Sequence, residues 1–352
     1  MRRVKIADKY VGSNDPCLII VDAGVNHNNN PERAKKLIRT AAEAGADIVK
    51  FQTYKADTIT TKTAKRYWDS KLDVDGGGTQ YDTFARLDDL SKEAYFEVKK
   101  LCDRLGIVFC STPFNLDDVD FLSELDMDVF KIASADITHH QLIKAVAGKG
   151  KPVILSAGAA SVGEIEEAIG VVYSENNKNI ILQHCILSYP CKDEDANLSR
   201  MVRLQQIFPD IPVGYSDHTL ATTVAIAAVS MGARTLEKHY TIDKSLPDSP
   251  DHRFSVGPDE LRNMIEDIRR VEKSKGTFLN GYYKAEKKAR LYARKSITAR
   301  VDIPKATAIT EDMLICKRPG TGIYPKSIGL VVGATAKTNI PADTTITFDM
   351  IR

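Results

Sequence analysis

The sequence predicts a (β/α)₈ barrel, the TIM-barrel fold, followed by a small C-terminal domain. Eight short apolar runs alternate strictly with segments of helical apolar spacing, and after Lys273 the pattern changes to short strands with an internal repeat. The length fits this division, because a barrel of this kind takes about 250 residues and the chain has 352.

The apolar runs have the length and composition of buried strands. The predicted strands are residues 18–22, 48–53, 107–112, 129–134, 152–158, 180–184, 212–216 and 233–239. The predicted helices are residues 31–44, 92–105, 116–125, 139–147, 162–172, 199–207, 222–231 and 259–273. Ahead of them, residues 3–11 and the turn at 12–15 predict a short extended segment that plugs the bottom of the barrel.

A doubly wound open sheet is the competing architecture. It usually has fewer strands, and it would need a glycine-rich phosphate turn after the first strand. The chain has Asn26-His27-Asn28-Asn29-Asn30 at that place, so the barrel is preferred.

The overall composition excludes several classes of function. With 49 basic and 47 acidic residues and no long run of either sign, neither nucleic acid nor a membrane is expected as a partner. The longest apolar stretch near the start, residues 17–21, is too short for a membrane span, and we expect a cytoplasmic protein. The six cysteines form no CxxC motif, so cysteine chemistry is not expected to be the function.

Polar side chains stand where the predicted strands end, which is the face that carries the active site in such barrels. Lysines among several hydroxyls indicate a site for a phosphorylated or carboxylated anion, since lysine supplies charge and hydroxyls orient oxygens. The alternative for any single hydroxyl is an ordinary strand-end or helix-cap role. The rim residues are Asp22, His27, Lys50, Gln52, Ser111, Thr112, Lys131, Ser134, Asp136, Ser156, His184, Ser216, Asp217, His218, Glu237, Lys238 and His239.

Two of these residues, His218 and His239, lie at equivalent positions at the ends of successive predicted strands. Two neutral imidazoles on neighbouring strand ends form half of a site for a divalent metal of the Mn, Fe, Co or Zn type, which water or substrate oxygens would complete. The alternative for each histidine taken singly is a hydrogen-bonded structural role.

The connection from 54 to 90 is far longer than the two to six residues usual between a strand and a helix. It carries Tyr67-Trp68-Asp69 and Gly76-Gly77-Gly78, aromatic and glycine residues that suit either a lid over the substrate or a subunit contact.

The C-terminal part has its own organisation, with the barrel at 1–276, a basic linker at 277–293 and a small domain at 294–352. The motif Asp302-Ile303-Pro304 recurs as Asn339-Ile340-Pro341, and the matching residues that follow each copy predict a compact, pseudo-symmetric module. Between the copies, Arg318 stands on a Pro-Gly turn, where it suits recognition of a polar ligand or an ordinary surface turn.

The chain resembles the sialic acid (N-acetylneuraminate or nonulosonic acid) synthase family over nearly its whole length. The motifs that carry the resemblance lie at residues 24–27, 49–53, 111–114, 130–134, 154–158, 214–219, 237–239, 250–252 and 317–320. The resemblance implies a metal-dependent TIM barrel followed by an antifreeze-like (SAF, β-clip) domain, a domain-swapped homodimer, and a transferase that condenses phosphoenolpyruvate with an amino-hexose.

The resemblance also implies roles for individual residues. His218 and His239 would bind the divalent metal, with Mn²⁺ expected and Mg²⁺ or Co²⁺ as alternatives. Phosphoenolpyruvate would be held by Lys50, Thr112, Lys131, Ser134, Ser156 and Ser216. The sugar would face Gln52, Tyr189 and Asp251, and Arg318 would reach the partner's barrel. Asp22, supported by Asp136, is the expected carboxylate for the cationic carbon and the attacking water.

Three positions depart from the family pattern. Asp22 and Asp136 stand where the family more usually has glutamate, which draws each carboxylate back by one methylene. Leu187 stands where members that make N-acetylneuraminate can carry asparagine, so the sugar stays open between N-acetylmannosamine, its 6-phosphate and a 2,4-diacetamido-trideoxyhexose that leads to legionaminic or pseudaminic acid. An eight-carbon sugar-acid synthase and a non-catalytic carbohydrate- or ice-binding protein are the remaining alternatives.

Overall fold

A computed structural model describes residues 1–68, 77–88, 90–247 and 249–352 of the chain. The chain divides into two compact units, Met1–Gly276 and Thr277–Arg352. No helix in these described ranges is long and apolar enough to cross a membrane.

The first unit opens with an antiparallel hairpin, β1 (Val4–Ile6) and β2 (Lys9–Val11), and continues into eight parallel strands. Their order in the sheet is β5-β4-β3-β10-β9-β8-β7-β6, and β5 and β6 also contact each other, so the sheet closes into the predicted barrel. The eight strands are β3 Leu18–Gly24, β4 Ile48–Thr53, β5 Val108–Pro113, β6 Phe130–Ile132, β7 Val153–Ser156, β8 Ile180–Cys185, β9 Val213–Asp217 and β10 Thr235–His239.

Helices follow each barrel strand and pack their apolar stripe on it. In the first helix the buried residues Ala34, Leu37, Ile38 and Ala41 follow the spacing of one helical face. The helices are α1 Pro31–Glu43, α2 Ala56–Ile59, α3 Gln80–Phe84, α4 Lys92–Leu105, α5 Leu116–Glu124, α6 His140–Gly148, α7 Val162–Ser174, α8 Leu198–Ile207, α9 Thr223–Ser230 and α10 Pro258–Lys275.

The N-terminal hairpin closes the amino-terminal end of the barrel. Val4, Ile6 and Val11 are buried in one cluster with residues near the start of the barrel strands, such as Ile20 and Ile48. The expected plug is confirmed, although the chain reverses between β1 and β2 and not only at the predicted turn 12–15. With this end filled by apolar side chains, the opposite end is left for a site.

The strand β6, which is the fourth strand of the barrel in chain order, is shorter than predicted. The expected strand 129–134 is regular only over Phe130–Ile132, and a short 3-10 turn, Ser134–Asp136, follows it. The amide of Gly158 donates a hydrogen bond of 2.9 Å to Ser134 Oγ. A Cβ atom on Gly158 would lie 2.7 Å from that oxygen, so only glycine fits there.

The second unit contains α11 (Lys287–Tyr292), β11 (Ser296–Ala299) and β12 (Leu314–Lys317), of which the two strands pair antiparallel. Part of the predicted linker 277–293 is therefore helical. Ile303 and Ile340, which occupy equivalent places in the two repeats, exchange backbone hydrogen bonds of 2.8 and 2.9 Å and are both buried. The expected pseudo-symmetric core follows from this pairing.

Candidate active site

A cavity of about 450 Å³ lies at the carboxyl ends of the barrel strands. It is lined by all the first-unit residues that were assigned a role: Asp22, Lys50, Gln52, Thr112, Lys131, Ser134, Asp136, Ser156, Tyr189, Ser216, His218, His239 and Asp251. Of the other expected rim residues, Glu237 lines the cavity, and His27, Ser111, His184, Asp217 and Lys238 do not. The last four of these alternate along their strands with residues that face the cavity, so they point to the other side of the sheet. Arg318 belongs to the second unit, where its side chain is exposed and the neighbouring Gly320 amide donates to the Leu291 carbonyl at 2.8 Å. Its predicted role therefore stays a prediction.

The alternation of side chains along a strand explains this convergence. On β4, Lys50 and Gln52 both face the cavity, and on β10 Glu237 and His239 do so. At each of these strand ends one face therefore supplies two functional side chains.

Three ion pairs between two lysines and two carboxylates form the floor of the cavity. Lys50 Nζ lies 2.7 Å from Asp22 Oδ2 and 3.7 Å from Glu237 Oε1, and Lys131 Nζ lies 2.8 Å from both carboxylate oxygens of Glu237. Ser216 Oγ donates to Glu237 at 3.3 Å. All of these side chains are buried, so the charges interact in a medium of low polarity and hold one another in place.

The neighbouring charges also fix the ionisation of the floor. Burial by itself would lower the pKa of Lys50, but the charges of Asp22 and Glu237 raise it overall. Burial would raise the pKa of Glu237, but Lys131 and Lys50 lower it to about 2. Lys50 therefore stays cationic and Glu237 anionic across the physiological range.

His218 and His239 face each other above this floor, with ring centroids 5.3 Å apart. His218 Nδ1 lies 2.8 Å from the Ile186 carbonyl, an arrangement that leaves Nε2 with its lone pair. His239 Nδ1 is buried without a hydrogen-bond partner among the described residues, and burial lowers the pKa of this imidazole. Two facing imidazoles with available nitrogens fit a divalent metal.

Other protein ligands for such a metal are sparse. Within the described ranges, no three histidine, cysteine or carboxylate side chains form a metal-binding group. Asp22 Oδ2 lies 3.5 Å from His239 Nε2, and Asp251 Oδ2 lies 3.5 Å from His239 Nδ1. A metal held by the two histidines would therefore keep coordination positions open for water or substrate oxygens.

Two further carboxyl groups of the cavity have raised pKa values. Burial raises the pKa of Asp136 to about 6, and its Oδ2 atom is buried without a partner among the described residues. Burial and the charge of Asp22 raise the pKa of Asp251 to about 7. Both groups can exchange protons near neutral pH, which a general acid or base requires.

The outer part of the cavity is apolar. We call Tyr54, Trp68, Phe84 and Phe114 the aromatic wall, because Tyr54 contacts Phe84 and Phe114 edge to face and Trp68 lies 6.0 Å from Phe84 between ring centroids. Leu187 lines the same cavity. The wall therefore offers a surface for methyl and acyl groups.

The long connection 54–90 supplies part of this wall. Tyr67 and Trp68 line the cavity, and the Tyr67 ring lies 6.1 Å from the ring of Tyr189. This placement agrees with the lid alternative for these two residues. Asp69 and Gly76, which the same expectation included, lie outside the described residues.

Glu237 was expected on the rim but was assigned no role, although it lies at the centre of the lysine pairs. The signal was available, because residues two apart on a strand share a face and His239 was already placed in the cavity. Cys185 and Phe254 also line the cavity and were not predicted, since both resemble ordinary core residues in sequence.

A closed parallel barrel with lysines, carboxylates and paired histidines at the carboxyl ends of its strands defines a barrel enzyme. The sequence matches the NeuB family over residues 37–280 and the SAF domain over residues 294–352, and the chain belongs to the NeuB family.

Its relatives agree with this assignment. The chain is 41% identical to the N,N'-diacetyllegionaminic acid synthase of Legionella pneumophila, with 97% of this chain and 96% of the relative covered. It is 33% identical to the human N-acetylneuraminate-9-phosphate synthase, with 97% and 95% covered. The crystal structure of an N-acetylneuraminic acid synthetase from Leptospira borgpetersenii in complex with citrate superposes with a TM-score of 0.72 at 31% identity, covering 82% of this chain and 94% of that one. The chain is thus an enzyme of the sugar-acid synthase class.

Proposed function

We propose that the enzyme condenses phosphoenolpyruvate with an N-acylated amino-hexose to give a nine-carbon 2-keto sugar acid and inorganic phosphate. The observation that carries the proposal is the floor of the cavity, where Lys50 and Lys131 are held by Asp22 and Glu237 beneath the two histidines. A fixed set of buried charges suits a substrate that carries both a phosphate and a carboxylate.

The hydroxyls around this floor would orient the anion. Thr112, Ser134, Ser156 and Ser216 line the cavity beside the lysines, and Lys50 Nζ lies 3.5 Å from Thr112 Oγ1. Lysine charge and hydroxyl donors together match the oxygens of phosphoenolpyruvate. Binding there would hold its nucleophilic carbon in the cavity, where the sugar aldehyde is expected.

The reaction forms one carbon–carbon bond and breaks one carbon–oxygen bond. C3 of phosphoenolpyruvate bonds to the aldehyde carbon, whose oxygen takes up a proton, and C2 becomes cationic. Water adds to C2 and loses one proton. The resulting tetrahedral carbon then expels phosphate with the ester oxygen while its hydroxyl loses the second proton, which leaves the 2-keto group. Asp22 is proposed to stabilise the cation, and Asp136 is proposed to take part in the proton transfer.

His218 and His239 would hold the divalent metal, for which Mn²⁺ is proposed. When bound, such an ion supplies Lewis-acid polarisation of the sugar's carbonyl oxygen. Gln52, Tyr189 and Asp251 are proposed to position the sugar.

Among the candidate sugars, the aromatic wall and Leu187 favour a 2,4-diacetamido-trideoxyhexose. Its C6 methyl group and the acetyl methyl of its second acetamido group stand where N-acetylmannosamine has hydroxyls, so these two methyl groups can contact an apolar surface without losing hydrogen bonds. The discrimination against N-acetylmannosamine is expected to be moderate, about 10- to 100-fold in kcat/KM, because an apolar pocket rejects an extra hydroxyl only weakly.

We also propose that the enzyme works in the cytoplasm as a domain-swapped homodimer in which Arg318 of one subunit serves the other subunit's cavity. Its exposure on a fixed turn supports this role.

The proposal is tested by measuring phosphate release from phosphoenolpyruvate with Mn²⁺ and a panel of sugars: N-acetylmannosamine, its 6-phosphate and 2,4-diacetamido-trideoxyhexoses. Mass spectrometry of the products identifies the acid. The expected result is release with the diacetamido sugars first. Release with none of the sugars by a folded, Mn²⁺-loaded enzyme would contradict the proposal.

A further inference from the structure

A buried ion pair lies directly beside the two histidines. Lys238 Nζ donates a hydrogen bond of 2.7 Å to Asp217 Oδ2, and both side chains are at most 1% exposed. Asp217 precedes His218, and Lys238 precedes His239. Neither Asp217 nor Lys238 lines the cavity, because alternate residues of a strand face opposite sides and the histidines face inward.

We infer that Asp217 and Lys238 are positioning residues that set the separation and orientation of His218 and His239, and through them the affinity for a divalent cation. The inference rests on the metal site of the proposed function.

The strand register gives the pair this position. Lys238 and Asp217 form the last paired position between β10 and β9, so their side chains make the final link between the strands before the histidines. The two strands approach closely at the start of the same ladder, where a Cβ atom on Gly214 would lie 2.0 Å from Thr235 Oγ1. The spacing of the histidines is therefore fixed at the strand ends.

The same pair also holds the loop that follows His218. Lys238 Nζ donates to the carbonyl of Thr219 and, at 3.0 Å, to that of Ala221. Asp217 Oδ1 accepts a hydrogen bond of 2.9 Å from the Thr219 amide. These hydrogen bonds hold the backbone after His218 against the buried Lys238 ammonium. The held backbone restricts the orientation of the His218 imidazole.

General energetics favour a geometric role over a stabilising one. The free-energy cost of desolvating two buried charges is about as large as the gain from their attraction. A buried ion pair therefore contributes little net stability compared with apolar side chains of the same volume. Groups that orient metal-binding histidines typically affect metal affinity by about 10- to 100-fold.

The test is a titration of the full-length protein with Mn²⁺ in the absence of substrate, with free Mn²⁺ followed by electron paramagnetic resonance. The variant is D217N/K238M, which removes both charges at nearly constant volume. We expect its Kd for Mn²⁺ to rise about 10- to 100-fold with a melting temperature near that of the wild type. In turnover, the Mn²⁺ concentration for half-activation should rise while the KM for phosphoenolpyruvate stays unchanged.

The matched control is D47N. Asp47 accepts from the Ile19 amide at 2.8 Å and pairs with Arg269 at the amino-terminal end of the barrel, so its loss perturbs the fold away from the histidines. D47N should keep the wild-type Kd for Mn²⁺ even if it melts earlier. If D217N/K238M does not fold, the variant D217E, which keeps both charges and lengthens the carboxylate side chain by one methylene, is titrated in the same way, and a raised Kd for Mn²⁺ is again expected.

A folded variant with wild-type Mn²⁺ affinity would overturn the positioning role and leave the proposed reaction intact. A wild-type enzyme that releases phosphate but binds no Mn²⁺ would overturn both the histidine site and this inference. Because the titration contains no substrate, a failure of the proposed reaction would show separately in the phosphate assay.

Discussion

Lys131 Nζ lies 2.8 Å from each carboxylate oxygen of Glu237, and both side chains are buried at the floor of the cavity. The Lys131 ammonium therefore contacts both carboxylate oxygens of Glu237. Glu237 also lies 3.7 Å from Lys50, so it is shared between the two lysines proposed to bind the anionic substrate. The position of the lysines in the cavity therefore depends on Glu237.

Replacing Glu237 by glutamine should reduce both stability and activity. E237Q leaves Lys131 buried without its counter-charge, a type of change that costs about 3–5 kcal/mol. Urea unfolding measures this cost. The double variant K131M/E237Q removes both charges and should recover most of the free energy of unfolding while remaining inactive. If the double variant is as unstable as E237Q, the loss does not come from the unpaired charge.

Removing either cavity histidine should abolish metal-dependent turnover. In H218A and H239A, phosphate release at a fixed Mn²⁺ concentration should fall by at least about 100-fold, because each histidine supplies one of only two proposed imidazole ligands. Circular dichroism checks that the fold is kept. H140A, which alters an exposed histidine at the start of α6, should behave like the wild type. Full activity in H218A or H239A would remove the metal assignment.

Asp136 should give the enzyme an acidic limb in its pH profile. Burial raises its pKa from the usual 3.8 to about 6, so the catalytic carboxylate form is lost as the pH falls through about 6. We expect kcat/KM to decline below that pH and D136N to have low activity without this limb. An unchanged limb in D136N would assign the titration to another group.

The same ionisation of Asp136 has the opposite effect on stability: activity should rise with pH, whereas the free energy of unfolding should fall. Since the folded state holds a proton on Asp136 that the unfolded state releases between pH 3.8 and about 6, ionisation of this group destabilises the fold as the pH rises through that window. D136N should lack this loss, which urea unfolding at pH 4 and pH 7 can measure. Equal pH slopes in both proteins would contradict the raised pKa.

Arg318 should act on the sugar and not on phosphoenolpyruvate. Loss of a hydrogen bond from a charged donor costs about 1.5–3 kcal/mol, so R318A should raise the KM for the sugar about 10- to 100-fold. R300A, another exposed arginine of the second unit, is the matched control and should leave both KM values unchanged. An equal rise for both substrates in R318A would exclude the proposed contact.

Leu187 should influence the choice of sugar. L187N places an amide on the cavity lining, where it can bind a hydroxyl that the apolar side chain cannot. The ratio of kcat/KM for N-acetylmannosamine to that for the diacetamido sugar should rise about 10-fold or more. L187M, which keeps the position apolar, is the control. If L187N and L187M show the same ratio of kcat/KM values for the two sugars, Leu187 does not contribute to the choice of sugar.

The barrel was predictable because its signals are local. Most barrel strands begin with apolar residues, as in a parallel sheet covered on both faces, and most helices have one apolar face. The predicted helix 92–105 is observed over the same residues, Lys92–Leu105. The strand β6 was overestimated because the small residues Ala133 and Ser134 extend the pattern into the 3-10 turn that carries Asp136.

The site was predictable in part for the same reason, since strand ends of a barrel meet on one rim. What the sequence did not reveal depends on tertiary contacts. Trp68 and Phe84 meet only through the path of the long connection. Asp217 and Lys238 were expected on the rim, but their pairing with each other outside the cavity follows only from their burial and register.

The proposed condensation of phosphoenolpyruvate proceeds by carbon–oxygen cleavage. The decisive measurement uses phosphoenolpyruvate that carries ¹⁸O in the bridging ester oxygen, incubated with enzyme, Mn²⁺ and the sugar that gives the fastest release. We expect the released phosphate to retain the ¹⁸O and a nine-carbon acid to form in equal amount. Unlabelled phosphate, or phosphate without the acid, would contradict it.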